Sequence, residues 1–185
     1  MTDSNIKSFI RPLILIPDTD VQNVTRYTDK SYASPSILSE QSFKTLERGL
    51  LFFGTRAQLN FLGQPAYTIF DNSLLRRFTF WKPLLSRGYP IYIVSPLFGL
   101  LWPGDKAGTY ELDMNEAFMA WRQIGLWEVV DELFIINECD GVLSYLPPLY
   151  NNVVRVDDIP WVTRNFTNFK KDQRLLKQIA LSTGE

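Results

Sequence analysis

A chain without histidine has to do acid–base chemistry with carboxylates and phenols, and this one places several of them beside turns. Asp18 and Asp20 follow the apolar run Leu13-Ile14-Leu15-Ile16-Pro17. Ser95 closes a second apolar run, Ile91 to Val94, and opens the stretch SPLFGLLWPGDKAGTYELDM, which holds Asp105, Tyr110, Glu111 and Asp113. Glu111 and Asp113 flank Leu112, so in an extended segment both face the same side. Two carboxylates on one face suit general acid/base work or a hard cation such as Mg²⁺. They also suit a plain solvated edge, the commoner role, so no metal is expected. The candidate catalytic groups are therefore Asp18, Asp20, Asp105, Glu111 and Asp113, with Ser95 or Tyr110 as orienting donors.

Composition narrows the chemistry further. The absence of histidine removes Ser-His-Asp and Cys-His catalysis and the commonest transition-metal ligand. The single cysteine, Cys139, cannot form an intrachain disulfide or a multi-cysteine zinc site. A lone thiol without a secretory leader fits a reducing, cytoplasmic setting. No GxGxxG, GxxxxGK[ST] or GxSxG occurs, so no dinucleotide, P-loop nucleotide or other cofactor is expected. No apolar run approaches the length of a membrane span, so no membrane partner is expected. A formal net charge of -1 leans against a dedicated nucleic-acid binder and leaves room only for a local basic patch.

These groups need elements to hold them. With 185 residues, 45% of them apolar, the chain can bury the core of one domain, expected over 13–185 behind a loose terminus at 1–12. Leu13 to Ile16 reads as a strand covered on both faces, and 21–36 as a long polar loop. Ser39 is placed to cap a helix through Phe43, Leu46, Leu50 and Phe53, ending at Gly54. Ala66 to Phe70 reads as a strand, followed by Asp71-Asn72-Ser73, which can also simply cap a helix from Leu74 to Leu85 stopped by Gly88. Ile91 to Val94 is a strand, Asn115 to Ile124 a helix, Trp127 to Glu132 a further helical turn, and Leu133 to Ile136 a strand ending at Asn137. A proline-broken loop from Tyr145, a short strand over Val153 to Val156 and an amphipathic helix over Lys170 to Leu181 complete the chain. Alternating strands and helices predict an α/β fold, a mostly parallel or mixed central sheet with helices on both faces. Ligands of such sheets bind beyond the carboxyl ends of the strands. The cleft residues are thus expected to be Asp18, Asp71, Ser95 and Asn137, with 95–114 as the longest lip.

That lip resembles a known signature. Ser95, Phe98, Gly99, Leu100, Leu101, Pro103 and Asp105, then Tyr110, Leu112 and Met114, look like the central motif of the YaaA peroxide-stress family. The opening strand ending at Pro17 and the segment Ala66-Tyr67-Thr68 are similar to further parts of that family, over about Leu13 to Phe118. The resemblance implies a compact α/β fold around a mixed sheet with a positively charged cleft, a link to protection against hydrogen peroxide, and DNA binding partly through a helix-hairpin-helix. It brings no settled mechanism. This chain is shorter and has no segment with the helix-hairpin-helix pattern. It also carries Glu111 where the family has Arg and Asp113 where it has Glu, which disfavours an anion at that point.

Three readings follow. The first is a YaaA-like protein that engages nucleic acid or a nucleotide-derived ligand at the strand-end cleft. Arg164, Lys170, Lys171, Arg174 and Lys177, near Phe166 and Phe169, would supply the phosphate contacts. The same basic residues equally suit a solvated helix face. The second is a small carboxylate-dependent hydrolase or transferase. The third is a non-catalytic interaction module, of which a homodimer is one variant.

Overall fold

The structure is a computed structural model, and it describes residues 11–18, 38–70, 84–155 and 162–164. The apolar runs Leu13 to Ile16 and Ile91 to Val94 form strands as expected. β1 (Pro12–Pro17) and β3 (Ile91–Ser95) are buried at every residue, hence on both faces. β1 lies at the centre of a five-stranded sheet of order β4-β3-β1-β6-β7, with β4 at Gly99–Leu101, β6 at Gly141–Ser144 and β7 at Val162–Arg164. β1 runs parallel to β3 and β6, β6 runs parallel to β7, and β4 returns antiparallel on β3, so the sheet is mixed. β2 (Asn60–Pro65) and β5 (Lys106–Thr109) form a separate antiparallel pair. The stretch after Ser95 is therefore two further strands joined by turns.

Five helices are described over their whole length. α1 (Glu40–Gly54) begins where Ser39 caps it, the Ser39 hydroxyl accepting from the Ser42 N–H at 3.2 Å. α2 (Ala66–Ile69) is a single turn. It stands where a strand was expected, because the pairing strand lies one segment earlier, at β2. α3 (Met114–Ile124) starts in a reciprocal capping box between Asp113 and Glu116. α4 (Leu126–Ile136) corrects the expected Leu133–Ile136 strand. Leu126, Val129, Val130 and Leu133 are buried at i, i+3, i+4, i+7, so one helical face runs through the whole segment. α5 (Pro148–Val154) replaces the expected loop and the Val153–Val156 strand. Pro148 sits in its first turn, where a missing N–H costs nothing. Of the expected 74–85 helix, only its end is described: residues 84–86 are helical, and the chain turns at Gly88. The expected 170–181 helix lies outside the described residues.

α1 differs from expectation in its orientation. Its core face is Ser42, Thr45, Gly49 and Phe53, while Phe43 is 62% exposed and Leu50 lies at the margin. Small residues let the helix approach closely: Gly49 lies directly against the indole of Trp121 on α3. Glu132 of α4 ties down the start of α1, accepting from the Ser39 N–H and from the Ser39 and Ser42 hydroxyls at 2.5–2.6 Å. Burial opposes ionisation of Glu132, but these three hydrogen bonds outweigh it and hold its pKa below the ordinary value. A lowered folded-state pKa stabilises above the unfolded value, and that contribution is lost as pH falls through the folded one. Glu132→Gln is therefore expected to cost on the order of 0.5 kcal/mol at pH 7, a figure kept small by solvent screening. The gap from wild type should narrow as the pH falls below the ordinary glutamate range in parallel acid melts; a gap independent of pH would sink the assignment.

Candidate functional site

The parallel registers Pro17↔Val94 and Leu15↔Ser144 bring three strand ends to one edge of the sheet. Asp18 follows β1, Ser95 closes β3, and Tyr145 follows β6. The Asp18 N–H donates to the Val94 carbonyl at 3.0 Å, and the Tyr145 N–H to the Leu15 carbonyl at 2.9 Å. The chain leaves β1 towards β3 on one side and leaves β6 towards β7 on the other. β1 and β6 thus flank the topological switch point, where diverging connections open the usual binding crevice of an α/β sheet.

Asp18 lies at that point and is the hub of a buried polar chain. The Tyr110 hydroxyl donates to Asp18 Oδ2, and the Tyr150 hydroxyl to Asp18 Oδ1 at 2.8 Å. Because the Tyr110 proton is directed to Asp18, the 2.7 Å contact between Ser95 Oγ and Tyr110 Oη has Ser95 as its donor. Ser95 Oγ in turn accepts from the Phe98 N–H at 3.3 Å. The donors run in one direction, from the Phe98 amide through Ser95 and Tyr110 to the carboxylate, an order in which each bond polarises the next. Burial, then the neighbouring Asp18 charge and the hydrogen bond to it, push the Tyr110 phenol well above its ordinary pKa. Tyr110 is a neutral donor at physiological pH. Its ring is held edge-on by Phe98, with centroids 5.7 Å apart, and by Phe70, at 6.2 Å.

The rest of the 95–114 stretch builds this arrangement. Gly99 has φ +70, and a Cβ there would lie 2.8 Å from Trp121 and 2.9 Å from Leu126, so both backbone and space require glycine. Asp105 folds back to accept from the Trp102 N–H at 2.8 Å, and burial raises its pKa against the lowering by that bond. The Pro103 and Asp105 carbonyls accept from the Tyr67 and Ala66 N–H groups, fastening α2 to the turn. Met114 is buried in the first turn of α3. Glu111 is exposed, and Asp113 is occupied as the N-cap of α3, so the two carboxylates do not form a site of their own. Among the described residues, no three acidic or thiol groups gather so as to hold a metal ion.

Asn137 is on the wrong edge for the expected cleft. It caps the end of α4 and not a strand, and its carbonyl accepts from Arg11 Nε at 2.7 Å beside the start of β1. Arg11 also reaches the Gly88 carbonyl at 3.0 Å, and its N–H reaches Asp140, so it clamps the amino-terminal edge of the sheet. Near that edge, burial pushes the Cys139 thiol up to about 12 despite Arg11, leaving it protonated and a poor nucleophile at neutral pH. Arg164 ends β7, the edge strand beyond β6. Asp20, Asp71, Lys170, Lys171, Arg174 and Lys177 lie outside the described residues. No helix among the described residues is long and apolar enough to cross a membrane.

The sequence reading missed Tyr150, Ser144 and Asn151. Ser144 donates to Asn151 Oδ1 at 2.6 Å, and Asn151 Nδ2 donates to the Leu146 carbonyl at 3.3 Å, which fixes α5 to the end of β6. The signal was present in Pro147-Pro148. A proline in the first helical turn, read as a helix start, sets Tyr150 and Asn151 just past the strand. No family model matches this chain, and no curated protein or solved structure does so significantly.

Proposed function

We propose that this is a YaaA-like protein of the cytoplasm that engages a nucleotide-derived ligand, free or within nucleic acid, at the switch point between β1 and β6. The observation that carries this reading is the Asp18 carboxylate at that point, held by the Tyr110 and Tyr150 hydroxyls. A carboxylate flanked by aromatic rings suits a flat ligand bearing N–H or O–H donors. The resemblance of the Ser95 to Met114 stretch supports the same class, and its oxidative-stress link gives the process. The one-directional chain from Ser95 to Asp18 favours, as a second reading, a histidine-free acid/base site in a small hydrolase or transferase.

Binding tests the first reading directly. Isothermal titration with nucleosides and nucleotides should be run beside fluorescence anisotropy with labelled DNA and RNA, at about 50 and 200 mM salt. Binding to at least one nucleotide class is expected, weakened by Asp18→Asn. Polymer binding that falls steeply with salt, and falls again when Lys170, Lys171, Arg174 and Lys177 become alanine, would add a phosphate-contact surface. No binding of any probe at low salt would overturn the reading and leave the carboxylate-enzyme alternative.

A further inference from the structure

Tyr110 and Tyr150 are not equivalent as donors to Asp18. Tyr110 is 6% exposed, enclosed by Phe70 and Phe98, and committed to Ser95 on its other side. Tyr150 is half-buried and reaches the other carboxylate oxygen from α5. The backbone of α5 is anchored independently of Tyr150, by Asn151 and by the buried Val153 and Val154. Tyr150 packs against the core only in part, so moving it aside from Asp18 disturbs less than moving Tyr110, which cannot leave without opening the core.

We infer that the Tyr150 hydroxyl holds the place taken by a ligand's own donor, so that Asp18 reads a neutral or cationic N–H or O–H group, a nucleobase edge or a ribose hydroxyl, and not a phosphate. This rests on the nucleotide reading above and specifies which part of the nucleotide enters. A carboxylate with phenol donors repels an anion at contact distance. It accepts strongly from N–H and O–H groups, since hydrogen bonds to a charged partner are the stronger kind. A ligand donor that replaces the Tyr150 hydroxyl keeps Oδ1 satisfied, so the exchange leaves no buried acceptor bare. Phosphates of the same ligand then lie outside the crevice.

The test compares four probes of one base, the nucleoside and its mono-, di- and triphosphates, together with inorganic phosphate, on wild type, Asp18→Asn and Tyr150→Phe. Wild type is expected to bind nucleoside and nucleotides within about fivefold of one another, and Asp18→Asn to weaken all of them by roughly tenfold or more. Tyr150→Phe, which removes the competing hydroxyl, is expected to leave binding unchanged or tighten it several-fold. Affinity that climbs with phosphate number, and that Asp18→Asn improves, would overturn the inference while leaving the nucleotide reading standing. No binding of any probe removes both. Should Asp18→Asn fail to fold, Tyr150→Phe decides alone: a loss of tenfold or more shows Tyr150 to be a required contact and defeats the exchange.

Discussion

Replacing Gly49 by alanine is expected to destabilise the protein by about 2–4 kcal/mol, although the same change at an exposed helical site gains about 1 kcal/mol. A Cβ at position 49 would fall 1.8, 2.3 and 2.5 Å from three ring carbons of Trp121. Carbon atoms at rest stand about 3.5–4.0 Å apart, so one side must move by well over an ångström. Trp121 is poorly placed to yield. It is fully buried, its indole N–H donates to the Pro96 carbonyl at 2.6 Å, and Phe53 lies against it with centroids 5.8 Å apart. Moving the ring also disturbs Gly99, which approaches the same indole from the sheet. At about 2–4 °C per kcal/mol for a chain of this size, the melting temperature should fall by roughly 4–16 °C. A second substitution separates sterics from backbone effects. With Trp121→Leu already in place, Gly49→Ala should become neutral or mildly stabilising, a strongly non-additive pair in denaturant melts. Equal cost in both backgrounds would mean that the indole is not what Gly49 makes room for.

The same helix shows where reading from sequence succeeds and where it stops. The start of α1 was legible, because Ser39 is a local cap whose chemistry does not depend on the rest of the fold, and the helix ends at Gly54 as expected, although Thr55 in the right-handed region is its C-cap. Its inward face was legible only in part. Of the apolar stripe Phe43, Leu46, Leu50 and Phe53, only Phe53 and Leu46 pack on the core, and the rest of the buried line is Ser42, Thr45 and Gly49. Close approach to a tryptophan rewards absence of side chain, and hydropathy does not register that. α4 failed for the opposite reason: Leu133-Phe134-Ile135-Ile136 has the residues of a buried strand, and only the phase shared with Leu126, Val129 and Val130 reveals a helix. That error carried Asn137 to the wrong edge of the sheet. Asp18, Ser95 and Tyr110 were singled out separately, from strand ends and from the 95–114 motif. Their meeting required the register of β1 against β3, a non-local property.

The meeting itself carries the other large effect. Tyr110→Phe keeps the ring packed against Phe98 and Phe70 and removes one oxygen atom. That oxygen both donates to Asp18 and accepts from Ser95, so its loss breaks two buried hydrogen bonds at once. Each group left short of a partner costs about 1–3 kcal/mol, and the expected loss is about 2–4 kcal/mol in chemical denaturation. The order of donors makes a finer prediction. Ser95→Ala removes the proton that Tyr110 accepts and the acceptor of the Phe98 N–H, and should still cost less, about 1–2 kcal/mol, since the Tyr110–Asp18 bond remains. In the double variant the Ser95 change costs only the Phe98 contact, which leaves a coupling on the order of 1 kcal/mol. Additive costs would show that the two hydroxyls act independently. A Tyr110→Phe variant as stable as wild type would show that water replaces the phenol oxygen, and hence that the interior of the site is open to solvent. Binding at Asp18 would then be expected to survive the substitution. If the full cost is observed, Tyr110 is a fixed wall of the site.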